Sequence, residues 1–347
     1  MKCVAIILMF ILCSALGVLA DCQISSYMVE GTNRIFTYRD DRGTLQLYRT
    51  ETVPNGLTLY MLCNGGDVVE TQCQENGAFT VGFPMRCSNP MQPKAYKIQD
   101  NQCPEQMYII GYEIERQQLE LYRSCYDSKL GRVLYAQSDV YRKSFFPKRP
   151  FVDFTTDEIV TPAEASSYMK QNIYHAFCCV FGNGQNYLPH SNALIINRGH
   201  LVASADFLFV DQMTSTFRYL NIVPQFKSIN DGNWEKIERW IRSQVPWTSL
   251  YRIKTGGIDV LTLPDENGVN REAYLSGSKL PVPLWTYKVV RDYNGNGVYV
   301  FLAFNCTFER QRPNVISICQ IVPCPFSLPD NPHDGYIYCC DPSKFPY

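Results

Sequence analysis

Histidine is scarce in this chain, with four in 347 residues and none between residues 22 and 125. The first third is therefore a poor place for histidine acid–base chemistry. No Gly-x-Ser-x-Gly elbow, His-Glu-x-x-His helix or Gly-x-x-x-x-Gly-Lys loop occurs, so three common catalytic frames lack their signatures. No Cys-x-x-Cys pair occurs either, which with so few histidines argues against structural zinc. Net charge is also missing, 32 basic residues standing against 33 acidic ones. Any contact with a polyanion must then come from a local patch. Beyond the first residues no apolar run approaches the roughly 18 that a membrane span needs. There is no internal repeat and no low-complexity tract.

Cysteine, by contrast, is abundant: fifteen are present. Residues 1–20 place one lysine before an apolar run that ends in small residues, the pattern of a secretory signal, with Asp21 as the expected first residue of a secreted, extracellular protein. Export makes cysteines disulfides by default. Losing Cys3 and Cys13 with the leader leaves thirteen, so one thiol is expected to be free or to bridge another chain. His175 beside Cys178 and Cys179 has the makings of a thiol nucleophile site, but the two cysteines are read as disulfide partners. His190 and His333 lie in proline-containing loops and read as surface residues. Asn305-Cys306-Thr307 is a formal glycosylation sequon.

The mature length allows two domains. Residues 21–125 hold six cysteines and short β-type runs at 34–38, 45–48 and 57–62, punctuated by Pro54-Asn55-Gly56 and Asn64-Gly65-Gly66. They read as a small disulfide-rich β module. The second domain is placed at 126–347. It opens on a basic segment in which Lys129, Arg132, Arg142, Lys143, Lys148 and Arg149 face only Asp139, a candidate phosphate-facing surface. Further strands are expected at 133–136, 193–196, 217–220, 284–290 and 298–304. The clearest helix is expected over about 232–244, with Trp234, Ile237 and Ile241 on one face and Asp231 as its cap. Asn294-Gly295-Asn296-Gly297 reads as a hairpin turn.

Chemistry gathers in residues 193–242. An apolar strand leads into Asn197-Arg198-Gly199-His200, where glycine permits close approach of other groups. A second strand ends at Asn221, and Asn221-Ile-Val-Pro-Gln225 leads to Asn230 at the expected mouth of the helix, whose positive end favours phosphate. Steps of eight and then four residues put Glu238 and Arg242 on the same face as Asn230. Phosphodiester hydrolysis needs a base for water, a divalent cation and a cationic side chain. His200, Asn230 and an arginine supply those three.

The ordered set Asn197-Arg-Gly-His200, Asn221-Ile-Val-Pro-Gln225 and Asn230-Asp-Gly-Asn-Trp234, with Glu238 and Arg242, closely resembles the DNA/RNA non-specific endonucleases, the ββα-metal nucleases. The resemblance spans roughly 130–347, and the cysteine-rich module resembles the extension of secreted arthropod members. It implies an α+β fold, a central antiparallel sheet flanked by helices, and a hydrolase leaving 5′-phosphate ends on DNA and RNA. It makes His200 the general base and Asn230 the protein ligand of magnesium, manganese being able to substitute. Glu238 would orient the metal's water, Arg198 and Arg242 would bind phosphate, and Asn221 would brace the site and count among the substrate-binding residues. A further upstream arginine would be Arg149, with Arg142 as rival. Asn197 stands where the family often has Asp, and Ala203 where it often has Pro. The alternative reading is a secreted nucleic-acid-binding protein of the same fold with little turnover. A third is an interaction protein acting through the amino-terminal module. No membrane partner is expected, and the oligomeric state is open.

Overall fold

The computed structural model describes residues 20–347 except Met85 and Ile316, so the expected leader lies outside the described residues save for Ala20. Four short strands come first: β1 (Ile35–Arg39), β2 (Leu45–Leu47), β3 (Thr58–Leu62) and β4 (Val68–Gln72). They form an antiparallel sheet in the order β2-β1-β3-β4. Disulfides Cys22–Cys73 and Cys63–Cys87 staple this layer.

Nine further strands build the central sheet: β5 (Lys94–Ile98), β6 (Gln106–Ile114), β7 (Gln117–Asp127), β8 (Arg132–Tyr141), β11 (Leu250–Val260), β12 (Pro283–Arg291), β13 (Gly297–Phe304), β14 (Ile321–Val322) and β15 (Ile337–Cys340). Their order is β14-β15-β13-β12-β11-β8-β7-β6-β5, with antiparallel neighbours throughout. Between β8 and β11 lie helix α1 (Lys170–Phe181), the hairpin strands β9 (Ile196–His200) and β10 (Ile222–Phe226), and helix α2 (Glu235–Gln244).

Alternation along the strands sends side chains to both faces of the sheet. Val140, Ile253, Val290 and Phe301 pack beneath α2 through Trp234, Ile237 and Ile241. Tyr135, Tyr287, Val289 and Leu302 share a core with Phe177 and Phe181 of α1. The fold is thus α+β, an antiparallel sheet between helices with a disulfide-stapled β layer at its amino end. A bulge at Ile110/Gly111 bends β6, and only glycine fits there, since a Cβ would lie 2.0 Å from the Leu119 carbonyl oxygen.

Three expectations change here. The division at residue 125 falls inside β7: strands from residue 94 onward already belong to the central sheet, and Ile35, Leu45 and Leu62 share a core with Tyr112, Leu201 and Phe207. The segment expected as a strand at 217–220 instead ends in a 3₁₀ turn, Tyr219–Asn221, and strand pairing begins only at Ile222. Among the described cysteines, three are unpaired rather than one: Cys178, Cys179 and Cys306. Adjacent helical residues point about 100° apart, so Cys178 and Cys179 on α1 diverge instead of pairing.

The other disulfides join Cys103–Cys125, Cys319–Cys340 and Cys324–Cys339, the last two anchoring the tail to β15. Asn305 is fully buried. Its side-chain oxygen accepts from the Phe226 N–H and its amide donates to the carbonyls of Pro224 and Pro283, which closes the sequon to a glycan in the folded chain.

Candidate active site

The two strands of the hairpin pair Asn197 with Gln225 and His200 with Ile222. A Cβ at Gly199 would lie 2.5 Å from the Gln225 side-chain oxygen, so glycine is what lets that amide cross the strand. The excursion between the strands is closed by Asn221. Its amide donates to the Val202 and Thr216 carbonyls and accepts from the Val202 N–H, each at 2.9 Å. Fully buried and fully used, Asn221 braces the loop and is not among the residues that line the cleft around His200.

After β10 the chain passes straight into helix, earlier than expected. Residues Lys227–Ile229 are already helical, and Asn230–Trp234 form a π turn leading into α2. Asn230 therefore sits one turn inside the helical run rather than at its mouth. Asp231 caps nothing. Its carboxylate accepts from Asn230 (2.9 Å), from Asn197 (3.4 Å) and from Lys227. An aspartate at position 197 would face that carboxylate, and like charges that close oppose each other. Asparagine donates to it instead.

His200, Asn230, Glu238 and Arg242 line one cleft of about 530 Å³ together with Arg149, Arg198 and Phe154. Arg198 lies 4.5 Å from the centroid of Phe154 and reaches the Tyr219 hydroxyl at 3.4 Å. Arg149 lies 5.0 Å from the centroid of Phe217. Among the described residues neither has a carboxylate partner, so aromatic faces seat both guanidiniums while leaving their charge unneutralised. Position 197 plays no part in seating Arg198. The rival Arg142 lies outside this cleft and donates to the Ser243 and Val245 carbonyls at the end of α2.

His200 packs against Phe154 and Phe217, with ring centroids 5.3 and 5.2 Å away. Its Nε2 is enclosed without a hydrogen-bond partner, while a backbone bond to Arg198 fixes the ring. Burial first, then Arg149 and Arg198, hold the imidazole down to about 3, so it is neutral across the physiological range.

Around Asn230 the cleft is lined by Asp231, Glu235, Glu238 and Arg242. No group of three or more His, Cys, Asp or Glu side chains suited to a metal occurs among the described residues. The Asn230 amide gives its nitrogen to Asp231, which leaves its oxygen free of hydrogen bonds. That oxygen with the Glu238 carboxylate suits a hard cation that keeps most of its water.

Three further residues shape the cleft that sequence patterning passes over. Asp206 pairs with Arg242 at 2.9 Å, and Glu238 stands 3.9 Å from the same guanidinium, so Arg242 is a committed, buried cation. Lys288 is buried beneath Glu238, 3.7 Å away, and donates to Thr255 at 2.9 Å. Burial pushes the Glu238 carboxyl up against the opposing pull of Lys288 and Arg242. Phe154 is the third. A lone lysine in the apolar run Trp285-Thr-Tyr-Lys288-Val-Val was the one available signal, since a buried ammonium demands a partner. Asp206 and Phe154 carry none.

The DNA/RNA non-specific endonuclease family matches residues 103–327, more than half of the chain, and the chain belongs to that family, whose members depend on a metal ion. Salivary endonuclease of Lutzomyia longipalpis is 26% identical over 218 residues, 61% of this chain and 53% of that protein. Salivary protein Tsal1 of Glossina morsitans morsitans is 25% identical over 57% of this chain and 52% of its own length. The chain thus matches about half the length of each. Salivary protein Tsal2A of the same species is 22% identical over 86% of this chain and 81% of its own. A chain of the solved EndoG/EndoGI complex aligns over 57% of this chain and 76% of its own at 18% identity, with a TM-score of 0.38, too loose a superposition to carry an argument.

Proposed function

We propose that this chain is a secreted, magnesium-dependent endonuclease that hydrolyses DNA and RNA with little sequence preference and leaves 5′-phosphate ends; manganese would serve in place of magnesium. The observation that carries this reading is a neutral histidine with an unpaired Nε2 between two arginines that have no acidic partner, in the cleft that also holds Asn230 and Glu238. A divalent cation held by Asn230, through water oriented by Glu238, would offset charge at the phosphorus and leaving oxygen. His200 takes the proton of the attacking water at Nε2. Arg149 and Arg198 bind the phosphate and neutralise the charge that grows on it. Contacts of this kind touch the backbone rather than base edges, so sequence preference is weak. The disulfide-rich architecture and the salivary relatives support secretion.

Incubating the intact protein with supercoiled plasmid and with RNA, with magnesium or with chelator, tests the proposal. Nicking that needs the metal and vanishes in His200→Ala is the expected result. Plasmid retarded on a gel but left uncut under both conditions would replace the enzyme with a nucleic-acid-binding protein.

A further inference from the structure

Outside the cleft, several exposed aromatic rings lie against cations. Trp247 (60% exposed) and Tyr293 (59% exposed) stand with Tyr141 around a mostly apolar hollow of about 390 Å³. Each exposed ring carries a guanidinium, Arg142 lying 5.0 Å from the Trp247 centroid and Arg252 5.6 Å from that of Tyr293. Tyr141 and Arg252 also line an adjoining polar cavity of about 550 Å³, into which the amino-terminal layer contributes Arg49. Arg49 donates only to the carbonyls of Glu120, Leu121 and Asp139, and makes no direct ion pair among the described residues.

From this hollow the chain leads directly to the cleft. In Arg142-Lys-Ser-Phe-Phe-Pro-Lys-Arg-Pro-Phe151, Arg142, Lys148 and Arg149 are the surface cations, Lys143 being buried on the Ala205 and Phe207 carbonyls. The only carboxylates hydrogen-bonded to the segment among the described residues are Glu51 at the Ser144 N–H and Glu30 at the Lys148 N–H. Phe146 is half exposed, Arg149 enters the cleft, and Phe151 stands wholly in solvent.

We propose that this strip, from Phe151 past Phe146 to the Trp247–Tyr293 hollow, is a binding track for single-stranded nucleic acid continuous with the cleft. Exposed rings stack on any unpaired base, because every base has a π face, and the neighbouring cations meet the phosphates. A duplex keeps its bases stacked inward and gains only the cationic part. Rings lying against cations, rather than one continuous apolar patch, select a flexible polyanion that carries flat rings over a protein partner. The track leans on the nuclease reading only for the use of the cleft at its end.

The test uses the intact protein in chelator, where nothing is cut, with fluorescent oligothymidylate and a duplex of equal length, read by anisotropy. Trp247→Ala is expected to weaken oligothymidylate binding roughly tenfold or more. Duplex binding should change by less than about twofold, and Trp247→Phe should restore most of the loss. Because the ring is exposed, the melting temperature should not move. Oligothymidylate binding that is absent in the natural protein, indifferent to Trp247→Ala, or lost in parallel with duplex binding would overturn the track. Trp247-dependent binding in a protein that cuts nothing would keep the track and refute the nuclease. Cutting that accompanies Trp247-independent binding would refute the track alone.

Discussion

The amino-terminal layer and the hairpin that carries His200 hold their loops by different means. Around β1–β4, cystines do the fastening, at Cys22–Cys73 and Cys63–Cys87. The hairpin β9–β10 contains no cysteine, and buried amides fasten it: Asn221 ties the excursion to Val202 and Thr216, and Asn305 ties β10 to Pro283. A cystine mainly restricts the unfolded chain, whereas a fully used amide fixes native atoms in place and costs stability when any bond is missing. The cleft is therefore built from the more exacting of the two devices, the one that fixes side chains in place.

That contrast can be broken in four places. The largest effect should come from His200→Ala, which lowers the rate by about 10² to 10⁴ in a plasmid assay with little change in melting temperature. Asn221→Ala comes next. It strands buried backbone groups at Val202 and Thr216 and should cost about 3 to 5 kcal/mol by denaturant titration, taking activity down with the fold. Replacing Cys22 and Cys73 together by serine should cost about 2 to 4 kcal/mol while leaving kcat intact below the new melting point. An equal loss of kcat would mean that the two regions are not separately fastened.

The smallest effect concerns pH. With His200 held to about 3, its protonation does not limit the rate between pH 7 and 5, and the acid limb of kcat/KM falls well below an ordinary histidine's 6.5. Arg198→Gln removes one cause of the depression and should move that limb upward. The same group makes stability depend on pH. The unfolded chain takes up the proton below about 6.5 and the folded one does not, so this contribution is complete above 6.5 and lost as pH falls toward 3.

Much of the site was legible in the sequence because it is local. Asn197–His200, Asn230 and Glu238 lie on consecutive elements, and each reaches the expected cleft. Of the two arginines the sequence offers upstream, Arg149 lines that cleft, and Arg142 is tied to the carbonyls of Ser243 and Val245 at the end of α2. What was not legible depends on partners far along the chain. Asp206 meets Arg242 across 36 positions, and Lys288 rises beneath Glu238 from another strand. The hairpin strands sit later than patterning places them because Asn197, Arg198 and Gln225 are polar, and only pairing across the hairpin marks them as strand. The boundary at 125 is not legible from cysteine spacing, because Cys103–Cys125 ties the connection between β5 and β6 to β7 of the central sheet.

The π turn at Asn230–Trp234 sets the phase of the whole helical run. A wider turn amounts to one residue more than α-helical winding would use, and each residue of an α-helix advances the direction of its side chain by about 100°. Gly232, whose backbone leaves the helical region at φ −96° and ψ −111°, is where that surplus is taken up. A chain shortened by this single glycine would wind evenly, keep Ile237 and Ile241 on the core, and turn Asn230 away from Glu238 without altering either side chain. The angular offset between Asn230 and Glu238 is thus written in residue count, and it is open to loss by a deletion that removes no functional group.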